Sequence, residues 1–330
     1  MKKVLLMFSL IICFMICGCA KNTEKEVLSK FSKKVENAKS YYLTGTLEMV
    51  NNETSYTYDV NVSYTKDNNF KVSLKNQSND HEQIILRNKD GVYVITPSLN
   101  KSFKFQSEWP YNNSQAYLLQ TILDDLESDE KYTYVNEDDK HIFTSSVNYS
   151  NNTDLVKQKV TINSDYEVEM VEVLDASDNV KIKMTFNDID YKAKFNTDYY
   201  SLEQNVSSEV TSTDEVSKIE DVIYPMYIPV NTSLSSQDKV NTATGERVIL
   251  TFDGESPFMF IQENTTVSSE FTTIPVNGEL VMLGDTIGVL DDSSISWISE
   301  GMEYYLVSST LNDEQLLEVA RSIGSIPVIK

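Results

Sequence analysis

Tyr56-Thr57-Tyr58-Asp59-Val60-Asn61-Val62-Ser63-Tyr64 alternates an aromatic or aliphatic side chain with a polar one at every step. A period of two sends the apolar set to one face of an extended chain and the polar set to the other, the pattern of a strand that covers a core on one side. The period recurs on either side of this stretch, in Phe70, Val72 and Leu74, in Val92 and Val94, in Phe103 and Phe105, in Val156, Gln158, Val160 and Ile162, and in Val180, Ile182, Met184 and Phe186. Turn-forming runs separate these stretches: Lys66-Asp67-Asn68-Asn69, Lys89-Asp90-Gly91 and Asp175-Ala176-Ser177-Asp178-Asn179. Short strands with such spacers predict a long antiparallel meander from residue 41 to about 200, curved into a sandwich, barrel or half-barrel.

Helical spacing appears at three places. Val27, Phe31, Val35 and Ala38, with Leu28 beside them, predict an amphipathic helix to about Lys39, behind a polar tether at 21–26. Its Lys30, Lys33, Lys34 and Lys39 read as a solvated face. Tyr117, Leu118, Ile122 and Leu126 form a second stripe, with Ser114 placed as its N-cap. Residues 202–222 lose periodicity, become rich in Ser, Thr, Glu and Asp, and read as a linker. Tyr224-Pro225-Met226-Tyr227-Ile228-Pro229 opens a second unit, with strand-like runs at 247–252, 258–262, 280–283, 294–298 and 303–308. Asn312 as N-cap, Gln315 at the capping-box position, the stripe Leu316, Val319, Ala320 and Ile323, and Gly324 as the stop predict a closing helix.

The first 20 residues carry a different kind of signal. Lys2 and Lys3 precede a 13-residue apolar run at 4–16. A helix needs about 20 residues to cross a bilayer core, so the run reads as an export signal. Ile16-Cys17-Gly18-Cys19 resembles the bacterial lipobox. That resemblance implies cleavage between Gly18 and Cys19 and a diacylglyceryl group on the Cys19 thiol, which would be the only covalent group; no other cofactor and no metal is expected. The competing reading is an ordinary signal peptide cleaved near Ala20, with Cys19 incidental. Cleavage at Cys19 removes Cys13 and Cys17, leaving no pair for a disulfide and no free thiol for catalysis or zinc. Two acyl chains make a durable anchor where one does not. The expected address is the outer face of the cytoplasmic membrane of a Gram-positive-type bacterium.

Twenty-eight Lys plus Arg against 50 Asp plus Glu give a net charge of −22. Nucleic-acid binding needs clustered cations, so that class is excluded. An acidic body also stands off anionic headgroups. Candidate catalytic chemistry is thin. The two histidines, His81 beside Asp80 and Glu82 and His141 after Asp138-Asp139-Lys140, lack a metal-ligand spacing and read as exposed turn residues. Asp124-Asp125, Asp138-Asp139 and Asp291-Asp292 are adjacent pairs; glycoside hydrolysis needs carboxylates facing each other across a cleft, so these read as acidic helix ends and loops. Asn136-Glu137-Asp138-Asp139 lacks the calcium-loop spacing. Gly284-Asp285-Thr286-Ile287-Gly288 reads as an ordinary strand-turn stretch. The sequence favours binding over catalysis. The aromatic set Tyr56, Tyr58, Tyr64, Phe70, Phe103, Phe105 and Trp109 has two readings, the wall of a cavity for acyl chains or a filled core.

Several separated motifs carry a family resemblance. Asp90-Gly91-Val92-Tyr93-Val94-Ile95-Thr96-Pro97, followed by Asn100-Lys101-Ser102-Phe103-Lys104-Phe105-Gln106-Ser107, Trp109-Pro110 and Tyr117-Leu118-Leu119-Gln120, resembles the Gram-positive branch of LolA-like lipoproteins. The run from Val180 to Tyr191 is similar to that family's last strands. Gly245-Glu246-Arg247-Val248-Ile249-Leu250, Ile261-Gln262-Glu263 and Glu318-Val319-Ala320-Arg321-Ser322-Ile323 resemble the DUF4367 domain. The resemblance implies a mainly β chain with α: an open antiparallel half-barrel covered by helices, plus a small α+β domain. The organisation it implies is 1–18 signal peptide, 19–25 tether, 26–201 half-barrel, 202–222 linker and 223–330 C-terminal domain. It also implies a non-enzymatic envelope accessory protein of sporulation or germination type, similar to the lipoprotein GerS, that binds a protein partner such as a cell-wall-modifying enzyme. The alternative it leaves open is a lipid or lipoprotein carrier or sensor that takes an acyl chain in the half-barrel cavity, including RseB-like regulation of an anti-sigma factor.

Overall fold

A computed structural model describes residues 23–51, 54–206, 219, 221–242, 245–265, 270–299 and 301–323. Gly18, Cys19, Gly324 and most of the 202–222 stretch lie outside these residues.

Twelve strands form one sheet. In chain order they are β1 (Ser40–Asn51), β2 (Thr54–Thr65), β3 (Asn69–Asn76), β4 (Glu82–Asn88), β5 (Gly91–Thr96), β6 (Lys101–Phe105), β7 (Thr133–Glu137), β8 (Lys140–Ser146), β9 (Lys157–Ile162), β10 (Val168–Leu174), β11 (Val180–Asp190) and, from far along the chain, β15 (Thr272–Val276). Their order is β15-β6-β5-β4-β3-β2-β1-β11-β10-β9-β8-β7, so among the described residues β15 and β7 are the two edges and the sheet is open. Neighbours pair antiparallel except β15, which lies parallel to β6 with Ile274 opposite Phe103. On β2 the apolar members of the alternation, Tyr58, Val60, Val62 and Tyr64, are all buried, and Phe70, Val72 and Leu74 of β3 face the same core. β4 is instead an unbroken apolar run, Ile84-Ile85-Leu86, because both its faces are covered. Ile85 faces the main core, whereas Ile84 and Leu86 lie under Tyr200, Phe195 and Tyr199.

Helix α1 (Glu24–Asn37) starts inside the stretch read as tether. Thr23 accepts from the Glu26 N–H while the Glu26 carboxylate accepts from the Thr23 N–H, a capping box that begins the helix at Glu24. Val27, Phe31 and Val35 are buried in the core that the first sheet lines. Helix α2 (Leu119–Ser128) packs beside it, burying Leu119, Ile122, Leu123 and Leu126 in the same core. Ser114 does not cap it. The helix opens at Leu118 with no side-chain cap, and the Ser114 hydroxyl donates instead to Asp125 (2.9 Å) and accepts the Asn148 N–H (2.8 Å).

The second sheet has seven strands in the order β12-β13-β14-β19-β18-β17-β16: β12 (Thr232–Asn241), β13 (Glu246–Gly254), β14 (Phe258–Asn264), β16 (Glu279–Met282), β17 (Ile287–Asp291), β18 (Ser294–Ser299) and β19 (Met302–Val307). Helix α3 (Asp313–Arg321) covers one face, with Leu316, Val319 and Ala320 against Leu250, Phe260, Trp297 and Leu306. Its Asn312/Gln315 capping box forms as the spacing predicts. The architecture is thus mainly β with α, an open antiparallel sheet around two helices plus a smaller α+β unit.

Candidate functional site

The two sheets meet where the strand-turn stretch 284–288 enters the first one. The Gln83 carboxamide, 4% exposed on β4, accepts from the Ile287 N–H (2.7 Å) and from the Thr286 hydroxyl (3.1 Å), which also reaches the Ile298 carbonyl (2.7 Å). Tyr58 on β2 donates its hydroxyl to the Gly284 carbonyl. Gly284 has φ +88°, and a Cβ there would sit 2.9 Å from the Tyr56 ring, so glycine is required twice over. Ile287 and Val289 join the core of the first sheet, with Leu280 and Met282 packed against it. At the other end of the seam Lys101 pairs with Glu303, which also accepts from Thr265 (2.6 Å). Burial alone would raise the Glu303 carboxyl, but hydrogen bonds from Lys101 and Thr265 outweigh it and hold the group below its ordinary range. The 284–288 stretch is therefore a joint between the sheets, not an ordinary turn.

Beside the joint lies a pocket of about 140 Å³. Met49 and Val50 of β1, Ile182 of β11, Leu155, and Leu280 and Met282 of β16 form its apolar wall; Lys181 and Arg321 are its charged residues. It adjoins a second hollow of about 200 Å³ through Val50, Asn152, Leu155, Lys181 and Arg321, where Asp154, Glu318 and Tyr227 complete the lining. The pocket owes its place to the chain: the β1 and β11 ends, β16 and the last turn of α3 all contribute to its lining, with Lys181 from β11 and Arg321 from α3.

Under α2 runs a buried polar cluster. Asp125 accepts from Ser114 (2.9 Å) and from Gln158 (3.2 Å), and Gln158 also donates to Ser145 (3.3 Å). Burial is the main cause that pushes the Asp125 carboxyl up to about 7. Asp125 is therefore not part of a solvated acidic helix end. His141 is not an exposed turn residue either. It is 5% exposed at an inward position of β8, where Nδ1 lies 2.8 Å from the Tyr134 hydroxyl and 2.9 Å from Asn136, and burial lowers its pKa. His81 sits at the turn before β4, beside the left-handed Asp80. Among the described residues no group of three or more His, Cys, Asp and Glu is placed to hold a metal ion.

The aromatic set is brought together. Tyr58, Tyr64, Phe70, Phe105 and Trp109 are buried in the core of the first sheet, with Tyr56 and Phe103 partly buried against it. Tyr64 packs on Phe70, and Phe70 on Trp109, with ring centroids 4.9 and 6.0 Å apart. None of the seven lines the pocket at the joint. Gly18 and Cys19 lie outside the described residues. Sequence reading did not single out Gln83, took Gly284 and Thr286 for an ordinary turn, and met Lys181 and Arg321 only inside longer family-like runs. Only the glycine at 284 and the polar glutamine opening an apolar strand at 83 hinted at a close contact.

No family model matches the chain. Sporulation protein YdcC of Bacillus subtilis strain 168 is 32% identical to it over 332 residues, a match spanning 98% of each. Among solved structures, the chain is similar to one in the complex of Pseudomonas aeruginosa MucA and MucB, at 12% identity and a TM-score of 0.34, covering 89% of this chain and 95% of that one. It is similar also to one in the complex of the CwlD amidase from Clostridioides difficile with the GerS lipoprotein, at 18% identity and a TM-score of 0.32, covering 52% and 98%. At full length and this identity, the chain belongs to the family of YdcC.

Proposed function

We propose that this member of the YdcC family is a lipoprotein anchored through a diacylglycerol on Cys19, on the outer face of the cytoplasmic membrane, and that it serves sporulation or germination as a non-catalytic accessory protein. In this reading it holds a protein partner of the cell envelope, a wall-modifying enzyme in the first instance. The observation that carries it is the 32% identity, along 98% of both chains, to a protein named for sporulation. The lipobox-like Ile16-Cys17-Gly18-Cys19 supports the anchor. The net charge of −22 supports a body that stands clear of anionic lipid and faces a partner. Polar groups spent on joining two sheets, such as Gln83 and Thr286, support a scaffold that presents a fixed surface.

The test is purification of the tagged full chain in detergent from sporulating cells, with mass spectrometry of the protein and of everything bound to it. The reading expects one envelope protein at near-equal stoichiometry, a lipid mass on Cys19, and a Cys19→Ser variant that leaves the membrane fraction. An unmodified Cys19, or purification with no stoichiometric partner, would overturn the corresponding half.

A further inference from the structure

The pocket at the joint reverses the charge of the molecule around it. The chain carries 50 acidic residues against 28 basic ones, yet the charged side chains lining the pocket are Lys181 and Arg321, with no carboxylate among them. Arg321 is half-buried in the last turn of α3, and its guanidinium makes no hydrogen bond or ion pair among the described residues. Asp154 and Glu318 in the adjoining hollow influence it without pairing with it. A guanidinium offers five donors in a planar fork, and these are unspent. Lys181 has its own carboxylate, Asp175, only at 3.6 Å. Met49, Ile182 and Met282 line the same pocket with apolar side chains.

We infer that this pocket binds a ligand joining a carboxylate to a short aliphatic arm. The head lies on the Arg321 fork, which matches a carboxylate bidentately, with Lys181 beside it. The arm lies on Met49, Ile182 and Met282. A volume of about 140 Å³ is below the roughly 300–1,000 Å³ of drug-sized sites, so the arm is short or continues into the adjoining hollow. A fatty acid and the free C-terminus of an aliphatic peptide share this chemistry. The inference concerns a ligand site and goes beyond the proposed partner-binding role.

Calorimetric titration of the full chain in detergent, against a detergent blank, separates the two sources. The probes are octanoate and N-acetyl-Leu-Ile with a free carboxylate, each beside its neutral amide. One acid is expected to saturate a single site with Kd below about 1 mM, with its amide at least about tenfold weaker. Octanoate alone binding identifies the source as a fatty acid, and the peptide alone as a chain terminus. Arg321→Gln should weaken the acid about tenfold and leave the amide unchanged. Lys181→Gln, at a side chain 35% exposed, should weaken it as well; a melting curve of each variant verifies folding. Saturation by neither acid below about 1 mM, equal binding of acid and amide, or parental affinity in a folded Lys181→Gln would overturn the inference.

Discussion

At the residue scale, two polar side chains, the half-buried Asp125 and the buried Gln83, decide more than their neighbours suggest. Asp125 has a folded-state pKa of about 7 against an ordinary 3.8. Below pH 3.8 both folded and unfolded states hold the proton and the group is neutral to stability. Between 3.8 and about 7 the unfolded chain releases it while the folded one keeps it, so stability falls as pH rises, and above about 7 the penalty is constant. Asp125→Asn removes the charge and keeps an acceptor for Ser114. Its melting temperature should exceed the parent's by more at pH 8 than at pH 5, at about 2–4 °C per kcal/mol for a domain of this size. A difference independent of pH would contradict the burial argument. Gln83 joins the sheets, and Gln83→Leu leaves the Ile287 N–H buried without its acceptor. Denaturant unfolding should show a loss of about 1–3 kcal/mol; an unchanged midpoint would mean the joint carries no energy. Neither role was legible locally. The acidic context of His141 and Asp125 reads as solvated, and only the fold shows that His141, Phe143 and Ser145 share the inward face of β8.

At the element scale, legibility followed the strength of the local period. β2, β3 and β11 alternate and were readable; α3 carried its Asn312/Gln315 cap and its apolar stripe within one short stretch. β12 was not readable because nearly every side chain along it is exposed and nothing sorts its faces. β15 was not readable because its partner, β6, lies some 170 residues earlier and parallel pairing leaves no turn signature. Its presence in the first sheet means that the chain segment assigned to the second unit covers the β6 edge. The β1–β11 register shifts between Thr44, opposite Asp188, and Gly45, opposite Phe186, which leaves Asn187 of β11 as the extra residue of a bulge; a Cβ at Gly45 would meet the Met184 side chain and the Thr185 carbonyl, both at 2.4 Å. Gly45→Val should therefore cost about 1–3 kcal/mol through overpacking at the centre of the sheet, read as a lowered unfolding midpoint. Full stability of that variant would show that β11 can shift away and that the close approach is not fixed.

At the scale of the whole molecule, side chains of the first sheet join it to the second: Gln83 to Thr286 and Ile287, Tyr58 to Gly284, Lys101 to Glu303. Such a body suits presentation of a fixed surface, and the proposed role in sporulation rests on kinship, over 98% of each chain, with a sporulation protein. The most direct test of the proposed role is deletion of the gene in a spore-forming host, with counts of heat-resistant spores and of spores that germinate, and complementation by the parental chain and by Cys19→Ser. The account predicts a loss of viable or germinating spores that the parental gene restores and Cys19→Ser does not. Normal spore yield, germination and envelope in the deletion strain would contradict it.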